Sequence, residues 1–122
     1  MSTSENLPID RLQIAPLDKI VGHHQVWSSM AAKYGVENPA PPWKSSLDGI
    51  CDALDRGGCG PEILGMPDRR REEDLLSATV YSDLPYPENQ LVSLAHSLVV
   101  RGVIDETELQ QRLTSIRARL EA

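Results

Sequence analysis

Apolar residues along this chain recur at the three- and four-residue spacing of helix faces, and no segment shows the strict alternation of a half-buried strand. Residues 1–15, with Pro8 and scattered polar groups, lack a period and read as a loose arm. After Pro16, which suits a first helical position, Leu17, Ile20, Val21, Trp27, Met30, Ala31 and Tyr34 fall on one face. The pattern predicts one helix, stopped by Gly35. Pro39, Pro41 and Pro42 then deny backbone donors and mark an extended, ordered linker.

A second helix is predicted from Ser45, with Asp48 in the capping-box position, through Leu47, Ile50, Cys51 and Leu54 to Gly57-Gly58. The stretch from Cys59 to Pro67 is irregular. Asp68 is the expected cap of a charged third helix from Arg69 to about Thr79, where Leu75, Leu76 and Val80 offer only a narrow apolar seam. Pro85 and Pro87 bracket a turn, and Leu91, Leu94, Ala95, Leu98 and Val99 define a fourth helix closed by Gly102. Asp105 is the N-cap of the last helix, with Glu108 completing a carboxylate capping box and Ile104 placed to staple onto Leu109. That helix continues through Leu113, Ile116 and Leu120. The short corner between the two apolar faces predicts an antiparallel αα-hairpin over 87–121. The fold class is therefore all-α, organised as an arm, helix and Pro-rich linker over 1–42 and a helical domain over 43–122.

Composition sharpens this picture. A chain of 122 residues makes one domain at most, with a modest core that invites a partner. Aromatic residues are only 4% and Phe is absent, so the core must come from Leu, Ile, Val, Ala and Met. A formal charge of −6 argues against a nucleic-acid partner, because phosphate binding needs a net basic face. No stretch approaches the roughly 20 apolar residues of a membrane span, and the first residues carry no signal-peptide pattern, so the expected location is the cytoplasm. Cys51 and Cys59 match no common metal or redox spacing and are expected to stay thiols.

Candidate chemistry is sparse. His23 and His24 are adjacent and diverge on a helix, His96 lies beside the apolar stripe of the fourth helix, and no phosphate loop or nucleophile elbow occurs. Arg69, Arg70 and Arg71 stand out. Three guanidiniums at a helix N-terminus oppose the macrodipole, at about 0.3–1 kcal/mol per misplaced charge. Either Glu72, Glu73 and Asp74 neutralise them as a solvated ladder, or their field is aimed at an anion.

From Trp43 onward the chain resembles the N-terminal half of the nitrile hydratase β subunit and the separate β subunit of thiocyanate hydrolase. The likeness is carried by Trp43 opening a helix with Leu47, Ile50 and Leu54, a glycine break, and an arginine-bearing helix. Next come the Thr79-Val-Tyr-Ser-Asp-Leu-Pro-Tyr86 turn and the Leu91-to-Leu109 stretch with its Gly102-Val-Ile-Asp-Glu106 corner. It is most specific over 79–113. Here the turn continues with Pro87 where the family usually has a second Tyr, and the family's C-terminal β-barrel is missing.

The resemblance implies a subunit that binds no metal itself. In the family, a cobalt or iron sits in a cysteine claw of the α-type subunit, with outer cysteines oxidised, and β-subunit arginines hydrogen-bond the oxidised sulfurs. A family arginine lands on Arg70, with Arg69 and Arg71 as its neighbours. The implied partners are an α-type metal-binding subunit and a separate β-barrel subunit, and the implied reaction is hydration of a nitrile to an amide on the partner's metal. Three other expectations stay open: an accessory protein for metal insertion, the β subunit of thiocyanate hydrolase, and an unrelated helical interaction module.

Overall fold

The computed structural model describes residues 9–57 and 63–121, and every regular element among them is helical. A 3-10 turn at Ile9–Arg11 precedes α1 (Ala15–Gly22), α2 (Trp27–Tyr34), α3 (Lys44–Asp55), α4 (Asp68–Ala78), α5 (Glu88–Val100) and α6 (Glu106–Glu121). The all-α expectation holds for these residues. None of these helices is long and apolar enough to cross a membrane.

The predicted first helix is two. Leu17 and Ala31 are buried as the periodicity requires, but His23 to Val26 interrupt the helix, and His24 takes a left-handed φ of 53°. Helix α2 restarts without a side-chain cap of its own; instead the carboxylate of Glu88, at the start of α5, accepts the Trp27 backbone N–H. Gly35 ends α2 as expected, at φ 69°. The linker is ordered locally, since the Asn38 carbonyl accepts the Trp27 indole N–H at 2.9 Å and the Asn38 side chain accepts Ala40 N–H.

The caps expected at Ser45 and Asp68 do not form. Helix α3 starts one residue earlier, at Lys44, and Asp48 pairs with Lys44 instead of closing a box. Asp68 is the first residue of α4, and its carboxylate accepts from Arg71. The Asp105 cap does form: its Oδ2 accepts Glu108 N–H at 2.8 Å and its carbonyl accepts Leu109 N–H.

Two apolar clusters hold the helices together. The first joins Ile14 and Leu17 to Leu76, Tyr81 and Val92, with Leu109 against it, so residues before and after position 43 share one core. The loose-arm reading is thereby corrected for residues 9–14, because Ile14 is buried and the Ile9 carbonyl accepts from His96; residues 1–8 lie outside those described. The second cluster packs Leu47, Cys51 and Leu54 of α3 against Leu64 and Leu94. Helix α4 makes its main contact with α5, whereas α6 leans chiefly on α1. Ile104 lines a groove with Leu94 and Leu98, while the expected staple partner Leu109 belongs to the first cluster.

Candidate functional site

The arginine cluster is resolved into three different environments by the geometry of α4. Arg69 lies on the inward face and is buried; its Nε and Nη2 donate to the two oxygens of Asp55 at 2.5 and 2.9 Å, and Nη1 donates to Glu73 at 3.0 Å. Such a fork is a strong, directional pairing for guanidinium. The Asp55 hydrogen bond, helped by the neighbouring charges and opposed by burial, raises the Arg69 pKa above its ordinary value. Arg71 is exposed and donates to Asp68 at 2.6 Å, within its own helical turn. Arg70 is exposed and makes no hydrogen bond or ion pair with any described residue.

The pairing explains the unfavourable placement noted in the sequence. Asp55 is the last residue of α3 and Arg69 stands in the first turn of α4, so each charge opposes its own helix dipole. Brought together across the α3–α4 junction, each offsets the other's misplacement. Asp55 was missed by sequence reading, and its signal was available: an acidic residue at a helix C-terminus is as misplaced as an arginine at an N-terminus.

A second fork fixes the outer side of α4. Arg101, just past α5, donates through Nη1 to Glu72 at 2.6 Å and through Nη2 to the other Glu72 oxygen. Asn89 on α5 also donates to Ser77 on α4 at 3.0 Å. Helix α4 is therefore held by side-chain contacts from α3, from the end of α5 and from the start of α5. Of the predicted narrow apolar seam, Leu76 is fully buried and Val80, just past the helix, packs against the same cluster, while Leu75 is exposed. With so narrow an apolar contact, ion pairs join Leu76 in orienting the helix that carries Arg70.

Beneath α4, α5 buries polar groups that its sequence pattern does not announce: Gln90, Ser93, His96 and Ser97 are all buried. His96 has no exposed surface; its Nε2 donates to the Ile9 carbonyl at 2.9 Å, which leaves Nδ1 to accept from the Tyr81 hydroxyl at 2.7 Å. Desolvation lowers the His96 pKa, and burial also pushes the Tyr81 phenol up, so both are neutral and structural. Cys51 is buried beside Gln90, whose amide donates to the sulfur at 3.7 Å, and burial raises the thiol's pKa despite Arg69 nearby. A buried, protonated thiol is a poor nucleophile. Cys59 lies outside the described residues.

The remaining histidines do not meet. His23 is exposed at the end of α1 and takes a hydrogen bond from Arg117 of α6 at 2.7 Å, while His24 is exposed in the turn. Among the described residues no three His, Cys, Asp or Glu side chains converge to hold a metal ion. The described chemistry is thus that of a guanidinium-presenting helix. No family model, curated protein or solved structure matches this chain.

Proposed function

We propose that this chain is the β-type, metal-free subunit of a nitrile hydratase-family enzyme, in which α3 to α6 correspond to the N-terminal helical half of that subunit and α5 and α6 to its antiparallel hairpin. One observation carries the reading. Of three consecutive arginines, two are paired within the chain, and Arg70 alone projects a guanidinium without a partner among the described residues, from a helix held on either side. Its neighbours hold the helix, so the backbone from which this guanidinium extends is fixed while the fork itself is free to take paired oxygens supplied from outside.

The roles then divide by geometry. Arg69 is a positioning residue that anchors α4 to α3. Arg70 donates to the oxygens of oxidised cysteines on an α-type partner, and Arg71 lends positive field partly offset by Asp68. The partner's cobalt or iron supplies the Lewis-acid chemistry that converts nitrile to amide, and a β-barrel subunit completes the assembly. This chain contributes a permanent charge from an anchored helix; lysine would keep the charge but lose the fork.

The test is Arg70→Lys in the complex purified with the products of neighbouring genes. Assembly is expected to survive, while turnover per metal falls by about tenfold or more, equivalent to roughly 1.4 kcal/mol of transition-state stabilisation. Undiminished turnover in an intact complex removes Arg70 from the site. A partner that is released once it carries metal replaces the subunit reading with that of an accessory protein.

A further inference from the structure

We propose that the half-open pocket lined by α1, α2, α5 and the residue before α3 is a binding site for a small quaternary ammonium ion of choline type. It has a volume of about 250 Å³, and its wall includes Trp27 and Met30 of α2, Trp43 before α3, Leu84, and Glu88 and Val92 of α5. This inference does not rest on the subunit reading.

Among the described residues Glu88 is the only ionisable group in the lining, and it is only 9% exposed. Buried carboxylates are ordinarily paired with a cation, because desolvating an isolated charge costs several kcal/mol. Among the described residues no Lys, Arg or His forms an ion pair with Glu88. Its Oε2 accepts the Trp27 backbone N–H, a neutral donor at the head of α2. Helix capping thus accounts for one oxygen, and the other has no hydrogen-bond partner among the described residues in a wall that is mostly apolar.

The rest of the lining selects the kind of cation. A metal ion would need several oxygen or nitrogen ligands, and carbon dominates this wall. Indole is the side chain most attractive to a cation over its face, and two indoles border the cavity. The Trp27 ring is fixed by its N–H to the Asn38 carbonyl. Methyl groups on a quaternary nitrogen can pack against Met30, Leu84 and Val92 while the charge is met by Glu88. The volume falls just below the roughly 300–1,000 Å³ of drug-sized pockets, which suits a compact ion. Of the lining residues Val92 and Glu88 are buried, whereas Gln25 and Leu91 are exposed.

The experiment titrates the full chain with choline at constant ionic strength, reading tryptophan fluorescence and calorimetric heat, beside 3,3-dimethylbutan-1-ol as a neutral isostere. Saturable choline binding is expected, with the alcohol at least roughly tenfold weaker. Glu88→Gln keeps an acceptor for the Trp27 N–H and removes the charge; its affinity for choline is expected to fall by a similar factor while its thermal transition stays close to that of the parent. Absence of saturable choline binding, equal binding of the alcohol, or unchanged affinity in a folded Glu88→Gln variant each overturns the proposal. Should that variant fail to fold, the comparison of choline with its isostere decides alone.

Discussion

Helices α5 and α6 carry equally clear apolar periodicity, yet they end in opposite environments. On α5, Glu88, Gln90, Val92, Ser93, Leu94, His96 and Ser97 are buried, so polar residues sit inside alongside the apolar ones. On α6 no residue is buried; Ile116 is 43% and Leu120 77% exposed. The periodicity of a helix states which face can be covered. Whether it is covered depends on neighbours that are distant in sequence, and α5 has α3, α4 and the N-terminal segment around it where α6 has chiefly α1.

The contrast can be broken most forcefully at the contact between α4 and α5. Leu76→Ala removes a side chain with no exposed surface from the first cluster, and a loss of about 3 kcal/mol is expected in equilibrium denaturation. A loss below about 1 kcal/mol would mean that the ion pairs, and not the core, hold α4.

A smaller effect should appear as pH dependence. Because desolvation lowers the folded-state pKa of His96, the unfolded chain takes up a proton at higher pH than the folded one does. The contribution of the neutral imidazole is complete above the ordinary value of about 6.5 and is lost as pH falls below it toward the depressed folded value. Asp10, Asp18 and Glu72 act in the opposite sense but do not reverse it. In His96→Gln the stability slope below about pH 6.5 should flatten relative to the parent, and identical slopes would show that His96 does not contribute to it.

The smallest change belongs to α6. Leu120→Gln should alter stability by no more than about 0.5 kcal/mol, since that side chain is already largely in water. A larger loss in the isolated chain would show that the α6 apolar face is covered in solution, and would make the two helices more alike than their exposures suggest.

What could be read from the sequence was what neighbouring residues decide. Gly35 and Gly102 stop their helices at positive φ, and the Asp105 cap satisfies donors three and four residues on, because these interactions involve only local backbone. The break at His23–His24 was hidden because the apolar positions stay nearly in phase across it, while the group that caps the restart, Glu88, arrives from the far side of the fold. The arginine run was legible as electrostatically odd. Its sorting into a buried anchor, an exposed fork with no partner among the described residues and a locally paired neighbour was not, because Asp55 and Arg101 come from other segments. The buried polar face of α5 was likewise invisible, since His96 needs Tyr81 and the Ile9 carbonyl to make it acceptable inside.

The tie from His96 to Ile9 bears on how this polypeptide can be shortened or tagged. Trimming it back to Ala15 would strip the imidazole of its acceptor and open a void where Ile14 sits, so damage would spread from the leading end straight to α5 and the cluster it shares with α4. Additions meant to be harmless belong after α6, whose final turns rest on little else in the molecule.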